Sequence, residues 1–250
     1  MKFLELILQQ KRIEIQNIKD EIPEKVLGPR SFAKHLKENR NKLHIIGEVK
    51  PPLLNAAIPS IMEQAKIYEE AGVSAIAVLT DEVFFKGNID DLRQVAAAVK
   101  IPVLNKDFIL DKKQINRAVN SGATMITLLA AVLNEDELQT LGDYAKELNL
   151  EVVVEVHDLP QLRIAQKLNV ELISVNNRNF KSFEPDLQNS INLAKEFLQD
   201  SDVLYISESG IKTTSDLQML AKNFNAVLIG ETLLAANNIE EKIAEFLIER

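Results

Sequence analysis

Short apolar runs alternate with amphipathic segments along the chain from about residue 40 onward. Eight runs rich in Val, Ile and Leu recur, at residues 44–49, 75–80, 102–107, 125–130, 151–156, 172–177, 203–209 and 226–231. Most of them do not alternate cleanly between apolar and polar residues, which is typical of parallel strands covered on both faces. The pattern therefore predicts eight buried strands.

The segments between these runs have the spacing of amphipathic helices, as in "DLRQVAAAV", "DELQTLGDYAKEL" and "LPQLRIAQKL". Two of the predicted helices carry start signals, Asn134 before "EDEL" and a capping-box pattern at residues 213–216. Alternation of eight strands with helices predicts a (β/α)8 TIM barrel. A doubly wound open sheet is the alternative, but it usually has fewer strands, and no G-x-G-x-x-G pattern follows the first run.

Residues 1–40 lie outside the repeat. They are predicted to form one long helix, a break containing Pro and Gly at 21–30, and a short helix over 31–39. A piece of this size is too small to have a core of its own. We therefore expect residues 1–250 to form a single barrel domain, with residues 1–40 as an N-terminal helical extension packed against it.

Composition and charge exclude several classes of protein. The net charge of −8 argues against non-specific binding to nucleic acid or to an acidic membrane surface, although a local basic cluster could still bind phosphate. The chain has no cysteine, which excludes disulfides and thiolate metal sites. We find neither the uninterrupted apolar core of a signal peptide nor an apolar stretch long enough to span a membrane. A cytoplasmic protein is expected.

Polar residues follow the predicted strands at most of their C-terminal ends, which meet at one rim in a barrel. The side chains at this rim are Glu48, Lys50, Lys106, Asp107, Glu155, Asn176, Arg178, Glu208, Ser209 and Glu231. Because alternate strand residues face the same way, Glu48 shares a face with Lys50, and Asn176 with Arg178. Lysines beside glutamates in a partly desolvated cavity have shifted pKa values, which suits general acid–base catalysis.

Two glycines indicate a second feature of the rim. Gly210 follows the seventh strand and Gly230 follows the eighth. Barrels that act on phosphorylated substrates often bind phosphate between these two loops, and glycine lets the backbone approach the anion closely. Ordinary turn glycines remain the alternative, since each glycine alone is weak evidence.

Six blocks of the sequence resemble one family. "VLTDEVFFKGNIDDL", "PVLNKDFILDKKQI", "VEVHD", "VNNRNF", "SESGI" and "LIGETLL" are similar to indole-3-glycerol phosphate synthase, in order and over the whole chain. The resemblance implies a carboxy-lyase of tryptophan biosynthesis. Its reaction is ring closure with decarboxylation and dehydration of 1-(2-carboxyphenylamino)-1-deoxyribulose 5-phosphate. It also implies that the protein uses no metal or organic cofactor and binds a small phosphorylated substrate, as a monomer or weak homo-oligomer.

The resemblance also implies roles for individual residues. Lys106 would be the general acid of ring closure, Glu155 would assist dehydration, and Glu48 and Lys50 would orient the substrate and take part in acid–base chemistry. The remaining expected site residues are Asn176, Arg178 and Glu208 for the substrate, Phe85, Phe108 and Leu128 for the anthranilate ring, and Ser209, Gly210, Gly230 and Glu231 for the phosphate.

The sequence departs from the family after the first strand. The family usually has a segment close to K-A-S-P-S-K-G there, whereas this chain has "KPPLLNAAIPS", which is shorter before the next helix. That loop contributes substrate contacts in the family, and a closing loop can control both kcat and KM. Three functions therefore stay open: an active synthase, a barrel enzyme for another phosphorylated substrate, and a catalytically weak paralogue or engineered form that binds ligand only.

Overall fold

Eight parallel strands close into a barrel in the chain order β1 to β8. The computed structural model describes residues 2–24, 31–51, 59–179, 182–198 and 201–250. The strands are β1 His44–Val49, β2 Ala75–Leu79, β3 Val103–Lys106, β4 Met125–Leu129, β5 Glu151–Val156, β6 Leu172–Asn176, β7 Leu204–Glu208 and β8 Ala226–Ile229. All eight predicted strands are confirmed, with ends that differ from the predicted ones by at most two residues.

Helices precede the first strand, connect the strands and follow the last one. They are α1 Lys2–Asn17, α2 Phe32–Glu38, α3 Ile61–Glu70, α4 Ile89–Ala98, α5 Lys112–Asn120, α6 Glu135–Glu147, α7 Leu159–Ala165, α8 Gln188–Leu193, α9 Thr214–Leu220, α10 Glu231–Leu234 and α11 Ile239–Phe246. A 3-10 turn at Ala194–Glu196 continues α8. The (β/α)8 fold is thereby confirmed. No helix in the described part of the chain is long and apolar enough to cross a membrane.

Two apolar layers explain why the strands are apolar almost throughout. Alternate strand residues fill the barrel interior, and those between them pack against the helices. In β4, Met125 belongs to the inner cluster, while Ile126 and Leu128 belong to the outer one. Phe32 and Leu36 of α2 join the inner cluster, so this short helix closes one end of the barrel.

Side-chain caps fix where several helices begin. Asn134 and Glu137 form a reciprocal capping box at the start of α6, and Thr213 and Asp216 form another at α9, as the sequence predicts. Such a box satisfies backbone N–H groups that have no partner within the first turn of a helix. Each cap thus determines where the preceding loop ends, and the loop before α9 carries Ser209 and Gly210 of the rim.

The two N-terminal helices contact opposite ends of the barrel. At one end, Ser31 Oγ and Phe32 N donate to the carboxylate of Glu151, the first residue of β5, over 2.7 Å each. At the other end, Ile7 of α1 packs with Phe108 and Leu129, which lie beside the C-terminal ends of β3 and β4. The predicted break between the helices falls partly on residues 25–30, outside the described residues.

A close packing contact in β1 gives a stability prediction. Gly47 faces α3, where an added Cβ would lie 3.0 Å from Cε2 of the buried Tyr68 ring and closer still to Cδ2. We expect Gly47→Ala to lower the free energy of unfolding by about 1–3 kcal/mol, because the ring must move in a close-packed layer. Urea denaturation measures this.

Gly142→Ala is the matched control. Gly142 is in the middle of α6, where an added Cβ would meet only Leu128 Cδ1, at 4.0 Å. Alanine favours the helix, so this variant should be more stable by about 0.5–1 kcal/mol. Equal destabilisation of both variants would contradict the steric explanation for Gly47.

Candidate active site

A cavity of about 710 Å³ opens at the C-terminal ends of the strands. Twelve of the predicted site residues line it: Glu48, Lys50, Phe85, Lys106, Phe108, Glu155, Asn176, Arg178, Ser209, Gly210, Gly230 and Glu231. Glu208, the last residue of β7, does not line the cavity but contacts Lys106 directly. The volume falls within the range of small-molecule sites. Residues spread over most of the sequence are thus brought to one cavity.

Lys106, at the end of β3, is held by two carboxylates. Its Nζ donates to Glu208 Oε2 over 2.6 Å and lies 3.4 Å from Glu155 Oε2. Burial lowers the pKa of Lys106, but the charges of Glu208, Glu155 and Glu48 outweigh burial and hold the pKa above its usual value. The amine therefore remains an ammonium ion at neutral pH.

The pKa values of Glu155 and Glu208 are shifted in opposite directions. Burial favours the neutral form of both, but the charge of Lys106 overrides it at Glu155 and lowers that pKa. At Glu208, burial and the charge of Glu155 together raise the pKa to about 8. Among the residues that the structure describes, no donor reaches Glu208 Oε1. A proton held by the pair at neutral pH would relieve the repulsion between the two carboxylates.

Asn176 and His157 surround the other side of Glu155. Asn176 Nδ2 donates to Glu155 Oε1 over 2.9 Å, and His157 Nε2 lies 3.4 Å from the same oxygen. Burial lowers the pKa of His157, so its ring is neutral at neutral pH. Asn176 therefore orients the carboxylate toward the cavity without adding a charge to it.

Cations and carboxylates also alternate along the rim. Lys50 Nζ lies 3.1 Å from Glu48 Oε2 and 3.5 Å from Glu231 Oε1, and Arg178 Nη2 lies 3.1 Å from Glu231 Oε1. A carboxylate has no proton to donate to a phosphate oxygen, so a phosphate contact from Glu231 would come from its backbone N–H at the start of α10. Its position suits orienting the two cations.

The backbone after β7 and β8 is shaped by close contacts. Ser209 and Gly210 have φ values of 72° and 82°, and Asn177 Nδ2 donates to the Ser209 carbonyl oxygen over 3.1 Å. At Gly230, an added Cβ would lie 2.6 Å from Glu48 Oε2 and 3.2 Å from Lys50 Cε. Glycine at 230 thus lets the β8 backbone lie directly beside Glu48 and Lys50.

The apolar wall of the cavity corrects one prediction. Phe85 and Phe108 line it, with ring centroids 5.8 Å apart. The family resemblance predicts Leu128 in this wall, and that prediction is wrong, because the Leu128 side chain faces the helices in the outer cluster. The alternation of β4 places Thr127 and Leu129 toward the cavity instead. Leu129 therefore occupies the position in the wall that the resemblance implies for Leu128.

Sequence reasoning missed the contribution of α1 and of the segment after β6. Phe3 and Ile7 of α1 line the cavity, and so does Phe183. Phe3 packs edge-on against Phe183, with ring centroids 4.7 Å apart. The spacing of Phe3, Ile7 and Lys11 on one helix face indicates a buried stripe, but nothing in that spacing shows that it covers the cavity.

The altered segment after β1 lies largely outside the described residues, at 52–58. Its flanks are held together by Gln64 of α3, which is fully buried. Gln64 Nε2 donates to the carbonyl oxygens of Lys50 and Pro59 over 2.8 Å each, and its Oε1 accepts from Lys50 N over 3.1 Å. The start and the end of the segment are therefore fixed relative to each other.

Comparison with known proteins agrees with this site. The family model described as indole-3-glycerol phosphate synthase matches residues 4–246. The chain belongs to this family. An indole-3-glycerol phosphate synthase of Lactococcus lactis subsp. lactis is 47% identical over 256 residues, which cover all of this chain and 96% of that protein. One of Streptococcus pneumoniae strain Hungary19A-6 is also 47% identical, over 254 residues, all of this chain and 98% of that protein.

A solved structure supports the fold independently. The 3-hexulose-6-phosphate synthase of Salmonella typhimurium superposes with a TM-score of 0.64 over 82% of this chain and 96% of that chain, at 17% identity. At this identity the similarity extends to the barrel alone. Membership of the synthase family therefore rests on the sequence matches.

The shared proton gives a pH prediction. Between about pH 7 and 8 the native Glu155–Glu208 pair retains one proton, whereas both carboxyl groups are ionised in the unfolded chain. The native state then binds more protons, so its stability falls as the pH rises, by up to about 1.4 kcal/mol per pH unit. In Glu208→Gln this contribution disappears. Urea denaturation of both proteins at several pH values in this window measures the difference, and parallel pH dependences would show that no proton is shared.

Proposed function

We propose that the protein catalyses ring closure, decarboxylation and dehydration of 1-(2-carboxyphenylamino)-1-deoxyribulose 5-phosphate to indole-3-glycerol phosphate. The observation that carries the proposal is the Lys106 ammonium group, held between Glu155 and Glu208 in the cavity of a barrel that belongs to this family. The reaction needs a proton delivered to one oxygen and another removed from carbon, and this group of side chains can do both.

The shape of the cavity suits the two ends of this substrate. An apolar wall that includes Phe85 and Phe108 can take the anthranilate ring. The turn at Ser209 and Gly210, together with Gly230, offers backbone that can approach a phosphate closely. Binding at both ends would place the ketone between them, near Lys106. The ring carbon and the ketone carbon would then react within one bound molecule.

Ring closure is assigned to Lys106. The ring carbon that carries the carboxylate attacks the ketone carbon, and the carbonyl electron pair moves to oxygen as an alkoxide. An alkoxide is a stronger base than an amine, so proton transfer from the Lys106 ammonium to it is favourable although the pKa of Lys106 is raised. Loss of carbon dioxide then returns an electron pair to the ring and restores its aromaticity.

Dehydration is assigned to Glu155 with Lys106. The hydroxyl group takes a proton from the Lys106 ammonium and leaves as water, and the adjacent carbon loses a proton to a base. Glu155, oriented by Asn176, is the proposed base. The full reaction consumes one proton, since a carboxylate leaves as neutral carbon dioxide. Glu208, with a raised pKa and 2.6 Å from Lys106 Nζ, can return a proton to the lysine.

The remaining rim residues are assigned to substrate positioning. Lys50 lies between Glu48 and Glu231, where its charge can face either the carboxylate or the phosphate of the substrate. Arg178, which donates to Phe183 O over 2.8 Å and to Glu231, would bind a negatively charged group of the substrate on the other side of Glu231 from Lys50. Glu48 would orient Lys50 and join it in acid–base chemistry. These positions suit a substrate with two negatively charged ends.

Identity of 47% to relatives named as synthases supports activity of this kind despite the altered segment after β1. No observation favours another phosphorylated substrate or a ligand-binding paralogue. We further propose that the enzyme works in the cytoplasm as a monomer or weak homo-oligomer, without nucleic acid or membrane as a partner. Its net charge of −8 supports the last point.

Replacement of Lys106 tests the proposed acid. Lys106→Met should reduce kcat by about 10³-fold or more, because both the proton donor and the charge facing the alkoxide are lost. Formation of indole-3-glycerol phosphate is followed by its fluorescence. Lys113→Met is the control: Lys113 lies on α5 outside the cavity, paired with Asp20. Its activity should stay within about twofold of wild type, as for other surface substitutions. Normal turnover by Lys106→Met would refute the mechanism.

Replacement of Glu155 tests whether this residue acts in dehydration and not in ring closure. Glu155→Gln keeps the hydrogen-bonding shape but removes the base, so dehydration should become slower than ring closure. A decarboxylated intermediate, one water molecule heavier than the product, should then accumulate in single-turnover reactions. Mass spectrometry of quenched samples detects it. If substrate persists and no intermediate forms, Glu155 acts in ring closure instead.

A further inference from the structure

Lys11 of α1 is a buried cation beside the cavity but not part of its lining. Its side chain is 1% exposed, and its Nζ lies 2.7 Å from Asp107, 2.8 Å from Glu14 and 2.9 Å from Asp81. Burial lowers the pKa of Lys11, but Asp107, Glu14 and Asp81 outweigh it, and the pKa is raised. A buried ammonium group persists only where such partners compensate its desolvation.

Asp81 connects Lys11 to the loop that carries Phe85. Asp81 follows β2, and its Oδ1 accepts hydrogen bonds from the backbone N–H groups of Phe84 and Phe85, over 2.7 and 3.0 Å. The other oxygen, Oδ2, faces Lys11. The carboxylate therefore fixes the loop on one side and the helix on the other.

Asp107 makes the corresponding connection to the end of β3. Its Oδ1 faces Lys11 and accepts from Phe108 N over 2.8 Å, and its Oδ2 accepts from Thr80 Oγ1 over 2.7 Å. Phe108 lines the cavity. The two carboxylates thus hold the segments that carry both aromatic rings of the apolar wall.

The same helix supplies apolar side chains to that wall. Phe3 packs edge-on against Phe84 and Phe183, with ring centroids 5.4 and 4.7 Å apart, and Ile7 packs with Phe108. Lys11 lies one turn further along α1 than Ile7. The ion pairs of Lys11 therefore fix the axial position at which α1 presents these side chains.

We propose that Lys11 is a positioning residue for the aromatic end of the substrate, acting through Asp81 and Asp107 to hold α1, Phe85 and Phe108 as one wall. This inference rests on the proposed function, since that function supplies an aromatic ligand for the wall. Lys11 does not touch the reacting atoms.

The Lys106 ammonium group and the backbone after β7 are held by contacts that do not include Lys11. Glu155 and Glu208 hold the ammonium group of Lys106, and Asn177 holds the backbone after β7. None of these contacts involves α1. Loss of Lys11 should therefore weaken binding of the ring more than binding of the phosphate, and it should leave the pH profile of kcat in place.

Two competitive inhibitors separate the ends of the site. Anthranilate is a probe for the apolar wall, and inorganic phosphate is a probe for the turns after β7 and β8. In Lys11→Met we expect the inhibition constant of anthranilate and the KM of the substrate to rise about tenfold or more, as one misplaced side of a pocket can do. The inhibition constant of phosphate should change less than about twofold, which is within the range of independent sites.

Two further variants and a control distinguish a specific loss of anthranilate binding from a folding defect. Asp81→Asn keeps an oxygen for Phe84 and Phe85 but removes the charge facing Lys11, and it should raise the anthranilate constant by about threefold or more. Lys11→Arg should recover part of the loss. Glu14→Gln removes a partner of Lys11 that lies on α1 itself, so the contacts to Asp81 and Asp107 remain and both inhibition constants should stay as in wild type.

Each outcome bears on a different claim. Unchanged anthranilate binding in Lys11→Met would overturn the inference. If Lys11→Met does not fold, unchanged binding in Asp81→Asn would overturn it instead. In either case, turnover by the wild-type protein would still support the proposed function. An equal loss for anthranilate and phosphate would also overturn it, because a general structural defect would explain the result. A wild-type protein that forms no indole-3-glycerol phosphate would instead refute the proposed function.

Discussion

The ammonium group of Lys106 lies between two buried carboxylates, and the arrangement of the cavity depends on this contact. Two carboxylates and one cation leave an excess negative charge that burial penalises, and a retained proton relieves it. The raised pKa of Glu208 and the lowered pKa of Glu155 both follow from this constraint. In the proposed mechanism Lys106 is the acid, Glu155 is the base, and Glu208 supplies the proton that is returned to Lys106.

Fold and catalysis depend on different faces of the same strands. Residues facing the helices form a nearly unbroken apolar layer, which closes the barrel and fixes the register of each strand. Residues facing inward are apolar at depth and become polar at the C-terminal ends, where Glu155 and Glu208 lie only a few residues beyond the buried interior. A strand held on its outer face can thus present charge at its inner end without loss of the fold.

The barrel could be predicted from the sequence because parallel strands buried on both faces are continuous apolar runs, and eight of them recur. Most of the cavity lining followed from the strand ends and the family resemblance. The resemblance implies Leu128 in the cavity wall, whereas the alternation of β4 directs Leu128 toward the helices and Leu129 inward. The position of α1 over the cavity could not be predicted, since it depends on contacts between Lys11 and carboxylates far along the chain.

Gln64 keeps the residues on either side of the segment after β1 in place, whatever the length of that segment. Its amide ties Lys50 to Pro59 across the segment, so chain can be gained or lost between them while the first strand and the third helix keep their positions. Closing a loop of different length changes the free energy only slowly with the number of residues. The part of the first crossover between Lys50 and Pro59 can therefore change in length during evolution without moving Lys50.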